Sequence, residues 1–233
     1  MRNNYISNIE LYYTPPEFVS KSDLVLRAEE INHAIKVMRN SVDDDLYVTD
    51  GEGSIYLSKI SSIKTDSLNA QIIKTYKYID KSRDLVFCIP KIKNPERLKF
   101  AIEKCVELGI TRFKIFESKH TVSKTFNLKR LQKIAIAAMK QSIRSFLPQI
   151  EFDTFDKIKK SDGDKIIFDQ NSKNDFNSDT KFLKPTYYIF GPEGGLDNSE
   201  LISVDTAKIF NLAKNRLRTE TAVVKCASLL NLS

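Results

Sequence analysis

Along the first third of the chain, apolar side chains recur at every second position in short runs: Leu24–Leu26, Asp45–Thr49, Ser54–Ile60 and Ser67–Thr75. A period of two, carried by β-branched and aromatic residues, predicts strands with one buried face. Asp50-Gly51-Glu52-Gly53 separates two of these runs and reads as a hairpin turn. A short helix is predicted over Ala28–Met38. Residues 1–73 are therefore expected to form a small β-barrel-like domain. Residues 74–84, Lys-Thr-Tyr-Lys-Tyr-Ile-Asp-Lys-Ser-Arg-Asp, are polar and basic, and are expected to be a linker.

The pattern then changes. From Leu85 to residue 233, continuous apolar runs alternate with stretches of helical period. Leu85–Ile89, Arg112–Phe116, Lys165–Asp169, Thr186–Phe190 and Lys208–Leu212 are predicted strands. Asn94-Pro95-Glu96 opens a helix: Asn accepts from free backbone N–H groups, Pro suits the first helical position, and Glu complements the dipole. Leu98, Ala101, Ile102, Cys105 and Leu108 share its inner face, and Gly109 ends it. A longer helix is capped by Asn127, buries Leu128, Leu131, Ile134, Ala135, Ala138 and Ser142, and is expected to stop before Pro148. Gln170–Lys184 is polar and reads as a loop or a frayed turn. Asp197-Asn198-Ser199-Glu200 has capping-box spacing for a further helix, and Thr219–Leu230 is the last one. Strands alternating with helices imply a largely parallel α/β sheet.

Composition narrows the function classes. Hydrophobic residues make up 41% of the 233, enough for a packed core. Thirty-seven Lys and Arg against 30 Asp and Glu leave a formal charge of +7, which favours a polyanionic partner. The three cysteines, Cys88, Cys105 and Cys226, are far apart in apolar segments, and the two histidines are His33 and His120. No metal site is expected, and the cysteines read as buried free thiols. The N-terminal residues lack the apolar run of a signal peptide, and no stretch approaches the roughly 20 apolar residues of a membrane span. A cytoplasmic location with no membrane partner is expected.

Two segments stand out chemically. Phe190-Gly191-Pro192-Glu193-Gly194-Gly195-Leu196 follows one predicted strand, and Asn211–Ala222 follows another and opens a helix. Ligands of parallel α/β sheets settle at the C-terminal ends of strands, and glycines let the backbone approach them. Neither segment is a dinucleotide fingerprint or a phosphate loop. Each alone is compatible with a structural turn or a solvated helix start; together, on one rim of the sheet, they predict a pocket.

Gly191-Pro192-Glu193-Gly194-Gly195-Leu196 followed by Leu217-Arg218-Thr219-Glu220-Thr221-Ala222 resembles the signature of the small-subunit ribosomal RNA uracil-N3 methyltransferases, of the SPOUT superfamily. Further matches run through the chain. His33-Ala34-Ile35-Lys36-Val37-Met38-Arg39 resembles the family's His-x-x-x-Val-Leu-Arg stretch. Lys104–Ile110 resembles its Lys-x-x-Glu-Leu-Gly-Val, and Gln141, Arg144 and Pro148 fit its Gln-x-x-Arg…Pro segment. The resemblance implies an N-terminal PUA-like β-barrel and a SPOUT-type knotted parallel α/β methyltransferase domain. It implies a homodimer that uses S-adenosylmethionine to methylate N3 of a uridine in 16S rRNA or the 30S subunit. The cofactor would be held by Phe168, Asp169, Phe190, Gly191, Pro192, Glu193, Gly194, Gly195, Leu212, Ala213, Asn215, Leu217 and Arg218. The chain departs from the family in the last of these loops, where Leu-Gly-Pro-Arg-Ile-Leu-Arg is usual. Ala213 replaces a glycine and would tolerate positive φ poorly; Arg216 stands where a buried aliphatic is usual.

N3 of uracil bears a proton that must leave before it can attack a methyl group. Arg218 and Arg144 are candidates to stabilise the resulting anion, with phosphate positioning as the alternative role. Glu220 or Glu193 could accept the proton, or serve the helix dipole and the turn; water is a further acceptor. His33, Lys36, Arg39 and Arg2 are candidate RNA contacts, with packing the plainer reading of His33. The basic run Lys114, Lys119, Lys124, Lys129, Arg130, Lys133 and Lys140 is either a solvated face or an RNA track, and Lys129 and Arg130 test the second. Two other functions share these features: the same chemistry on another RNA substrate, and an inactive relative that grips RNA without chemistry.

Overall fold

The computed structural model describes residues 6–119, 127–177, 185–197, 199–200, 204, 207–230 and 232. Contacts divide the chain into two units, Met1–Asp80 with Met139–Leu147, and Lys81–Ala138 with Pro148–Ser233.

In the first unit, β1 (Leu11–Tyr13), β2 (Asp23–Leu26), β3 (Asp45–Thr49), β4 (Ser54–Ile63) and β5 (Leu68–Lys77) form a sheet in the order β1-β3-β4-β5-β2. β1 runs parallel to β3, and the other pairs are antiparallel. The period-two pattern has its expected effect: Leu24, Leu26, Leu46, Val48, Ile60, Leu68 and Ala70 turn inward and form one core with Tyr12, Ile31 and Ala34. Ile31 and Ala34 come from α1 (Glu29–Asn32), which continues into a wider π-helical turn over His33–Val37. The Asp50–Gly53 turn is built around the Asp50 carboxylate, which accepts from Glu52 N, Ser54 N and the Tyr56 hydroxyl at 2.8, 3.1 and 2.8 Å. Both its glycines have positive φ, and the segment after residue 144 lies on it: Leu147 N donates to Gly51 O and Gly53 N to Ser145 O.

Two details correct the sequence reading. β5 continues to Lys77, so residues 74–77 are strand rather than linker; their polarity did not prevent pairing with Ser54–Leu57. β1 is only three residues long, too short for periodicity to reveal.

In the second unit, six strands lie in the order β11-β9-β10-β6-β7-β8, all parallel: β6 (Leu85–Pro90), β7 (Arg112–Glu117), β8 (Gln149–Thr154), β9 (Asp164–Phe168), β10 (Thr186–Phe190) and β11 (Lys208–Phe210). The central strands are sealed on both faces, as their continuous apolar runs require; Val86–Ile89 and Tyr188–Phe190 are all within 1% of complete burial. α2 (Pro95–Glu107) starts as expected, with Asn94 Oδ1 accepting from Glu96 N at 2.9 Å. It ends in paired bonds, Gly109 N to Val106 O and Ile110 N to Cys105 O, with Gly109 at φ +96°.

α3 (Leu128–Gln141) is capped by Asn127, whose Oδ1 accepts from Arg130 N at 2.9 Å. It stops earlier than expected, through the same paired bonds: Ile143 N to Lys140 O and Arg144 N to Met139 O. The left-handed position is filled by Ile143 at φ +55°. A β-branched residue there is strained by about 1–2 kcal/mol, and with isoleucine in that place no glycine marks the end.

β8 and α4 (Phe155–Lys160) were not expected. β8 is an edge strand with Ile150 its one buried residue, so it carries no apolar run. β9 begins one residue before its expected start and β11 ends two before its expected end, the usual scatter of strand ends. The capping box is present: Asp197 Oδ1 accepts from Ser199 N and Glu200 Oε2 from Asp197 N. All three cysteines are free and buried, and burial pushes each thiol upward from its ordinary range. No helix of the described residues is long and apolar enough to cross a membrane.

The β9–β10 pairing depends on a close backbone approach. Gly163 has φ +131°, and a Cβ there would stand 2.1 Å from Pro185 O. Asp164 N donates to that same carbonyl at 2.9 Å. Gly163→Ala is expected to destabilise the protein by about 3 kcal/mol, read as a fall in the urea midpoint; an unaltered midpoint would contradict this account.

Candidate active site

β9, β10 and β11 end level with one another. Phe190 and Phe210 are both register partners of Phe168. In-register neighbours in a sheet project to the same face. The Phe168 and Phe190 rings stack at 5.1 Å and 25°, while Phe176 meets Phe168 and Phe210 edge-on at 5.3 and 5.7 Å. The loops that leave these strands therefore start from one row. Between them lies a cavity of about 290 Å³, lined by Phe168–Asn171, Phe190–Leu196, Asn211–Ala213, Asn215–Leu217, Thr219 and Ala222. That volume is near the lower end for small-molecule sites.

Each loop has a local reason for its shape. After β9, Asp169 Oδ1 accepts from Asn171 N at 2.8 Å, and Asp169 N donates to Phe210 O. After β10, Gly195 N closes a turn onto Pro192 O at 2.9 Å, with Gly195 at φ +78°. After β11, Asn211 Oδ1 accepts from Ala213 N at 2.8 Å, an Asx turn. Ala213 is not among the residues with positive φ, so the alanine there is unstrained.

The loops are also tied to each other. Arg216 Nη2 donates to Glu193 O at 2.8 Å. The Thr219 hydroxyl donates to Gly191 O at 2.9 Å. It does not cap its helix; α5 (Thr219–Leu229) begins at Arg218 without a side-chain cap. Arg97, in the first turn of α2, reaches both sides: its Nη1 is 2.6 Å from Glu193 Oε1 and its Nε 3.5 Å from Glu220 Oε1. Sequence reasoning missed Arg97, because a cation in a helical first turn carries no sign that it meets residues about a hundred positions away.

Of the expected cofactor contacts, all but Arg218 line the cavity. Arg218 is exposed beside it in sequence, at the start of α5. Glu220 is buried, and among the described residues its Oε2 has no hydrogen-bond partner. Arg144 belongs to the first unit, where its backbone N–H ends α3. Of the expected RNA contacts, Arg2 lies outside the described residues. Lys36 and Arg39 are exposed; His33 Nε2 is 3.4 Å from Glu10 Oε1, with its ring 5.6 Å from that of Tyr12. In the basic run, Lys114 pairs with Glu151 and Asp153, Lys119 with Asp197, Arg130 with Glu96 and Lys140 with Glu30. Lys129 is exposed on α3, and Lys124 lies outside the described residues.

Comparison with known proteins agrees with this geometry. The RNA methyltransferase domain family matches residues 80–231, and the RNA methyltransferase PUA domain family matches residues 26–73. The chain is 28% identical over 222 residues to Ribosomal RNA small subunit methyltransferase E of Rickettsia conorii, covering 91% of each protein. It superposes on the crystal structure of a probable rRNA-methyltransferase from Porphyromonas gingivalis with a TM-score of 0.84 at 26% identity, covering 96% of this chain and 98% of that one. The fold is also that of Ribosomal RNA small subunit methyltransferase E from Neisseria gonorrhoeae, solved bound to S-adenosyl methionine. The TM-score there is 0.81 at 22% identity, covering 94% and 95% of the two chains. Since the first match takes in the whole parallel sheet and every loop around the cavity, the chain belongs to the RNA methyltransferase domain family.

Proposed function

We propose that the chain transfers a methyl group from S-adenosylmethionine to N3 of a uridine in 16S rRNA, free or within the 30S subunit, as a cytoplasmic homodimer. The observation that carries this reading is the convergence of three strand-end loops on one cavity, in a chain related over most of its length to ribosomal RNA small subunit methyltransferases.

The lining suits that donor. Its apolar side chains, among them Phe168, Leu196, Leu212, Ala213 and Leu217, offer a surface for a flat heterocycle, and backbone polar groups between them supply hydrogen bonds. Its ionisable side chains are Asp169, Glu193 and Arg216, with one acid in excess, and the Arg216 guanidinium is turned to the Glu193 carbonyl. Such a lining favours a cation. When bound, S-adenosylmethionine supplies an electrophilic methyl group on a sulfonium.

The chain's own task is to present the uracil ring and stabilise its anion. Arg218 and Arg144 are assigned that stabilisation, because a fixed cation lowers the energy of a developing negative charge. Glu193 and Glu220 each have a carboxylate oxygen beside Arg97, an arrangement that suits anchoring better than accepting a proton; water takes the proton. His33, Lys36 and Arg39 of the first unit are assigned to RNA, in keeping with the PUA match.

The finer architecture belongs to the same proposal: a PUA-like barrel for the first unit and a trefoil-knotted path for the second. Supporting the knot, β11 pairs with β9 on one side. On the other, Asn211 N donates to Asn174 O and Asn211 O accepts from Phe176 N, at 2.7 and 2.8 Å.

Three outcomes are expected. Nuclease digests of 16S rRNA from a strain lacking the gene should lose one N3-methyluridine by mass spectrometry; an unchanged digest overturns the assignment. Gly195→Val, which forces a β-branched residue to φ +78°, should weaken S-adenosylmethionine binding about tenfold by calorimetry, with the circular dichroism spectrum preserved. Lys129→Ala should flatten the log–log salt dependence of RNA binding by about 0.7; an identical slope removes Lys129 from the RNA track.

A further inference from the structure

The cross-links around the cavity have a common node. α2 follows β6 and α5 follows β11. The two helices pack together, with Cys105 Sγ 3.8 Å from Val223 O. Arg97 sits in the first turn of α2 and Glu220 in the first turn of α5. The Glu220 side chain is only 10% exposed, and its Oε2 is buried with no hydrogen-bond partner among the described residues. A buried carboxylate needs a counter-charge, and among the described residues its ion pair is with Arg97. The same guanidinium holds the half-exposed Glu193 carboxylate.

Two carboxylates thus share one cation. Without it, the Gly191–Leu196 turn and the start of α5 would each present an acid to the other, and like charges at that range repel. Arginine suits this place because Nε and Nη1 lie in one rigid plane and can engage two acids at once, whereas an ammonium is a single point charge on a flexible stem.

We propose that Arg97 is a positioning residue that holds the Gly191–Leu196 loop against the start of α5 and so sets the width of the cavity before any ligand arrives. The role rests on reading that cavity as the methyl donor's site. It adds to that reading a residue outside the lining whose effect is on donor binding rather than on methyl transfer.

The test is amide hydrogen exchange on the free, full-length protein, which reports local opening without a ligand. In Arg97→Ala, exchange at Gly194, Gly195 and Leu196 should quicken about tenfold, while amides of β6 and β7 keep wild-type rates. Arg97→Lys should fall between the two, since it reaches Glu193 and loses Glu220. Unchanged loop exchange, or equal acceleration throughout the protein, overturns the proposal. Should Arg97→Ala fail to fold, Glu193→Gln removes the same ion pair at its exposed end, and unchanged loop exchange there overturns it equally. Calorimetry with S-adenosylmethionine then separates the two claims. A donor affinity about tenfold weaker in Arg97→Ala, with kcat at saturating donor near wild type, supports positioning. A fall in kcat with affinity intact overturns it. Absence of donor binding by the wild-type protein would sink the donor-site reading, while the exchange result stands.

Discussion

The arrangement depends on three parallel strands ending in the same row. Parallel pairing is evenly spaced along its strands, so the register that sets Phe190 and Phe210 beside Phe168 also sets the starting points of the loops that follow. A slip of one residue in any of these strands would send its phenylalanine to the opposite face and carry its loop off the rim. The stacked rings of Phe168 and Phe190, with Phe176 edge-on to Phe168 and Phe210, oppose such a slip. So does the approach of Gly163 to Pro185 at the other end of β9 and β10. The cavity is a consequence of register before it is a consequence of any particular side chain.

Above that floor, polar cross-links decide the shape. The loop after β11 is held by polar groups of its own. Asn211 closes an Asx turn that keeps Ala213 out of the left-handed region. Arg216 donates to the Glu193 carbonyl and joins the two loops. Thr219 adds a second link through Gly191 O. The Arg97 ion pairs span the same elements; exposed ion pairs contribute little singly, but here one guanidinium meets both Glu193 and the buried Glu220.

What could be read in the residues divides by the kind of physics behind each feature. Elements with a long apolar period or a cap were legible: Leu98, Ala101, Ile102 and Cys105 on the inner face of α2, its Asn94 cap and its Gly109 end all stand where the pattern put them, while Val106 takes the buried place expected of Leu108. Elements that depend on a neighbour were not. β8 has a single buried residue and exists because β7 supplies its hydrogen-bond partners. β5 carries polar residues to Lys77 because β4 pairs with them. The end of α3 escaped notice because Ile143 occupies a conformation that ordinarily calls for glycine.

The cavity shows the same division. Two of its three loops were foreseeable, because glycine-rich and polar segments directly after buried strands are local signals, and the topology of a parallel sheet gathers strand ends on one rim; the loop after Phe168 was implied only by the family resemblance. The roles of the charged residues were not foreseeable. Nothing near Glu220 in the chain announces that it is buried, and nothing near Arg97 announces that it bridges Glu193 and Glu220. The sequence by itself determined the class of fold and two of the strand-end loops, because those follow from periodicity and backbone conformation; the chemistry they host came from the resemblance of their motifs to a family. Only the tertiary structure decided which charges meet, because ion pairing depends on distance in space, and residues 97, 193 and 220 come within reach of each other only when α2 and α5 pack beside the completed sheet.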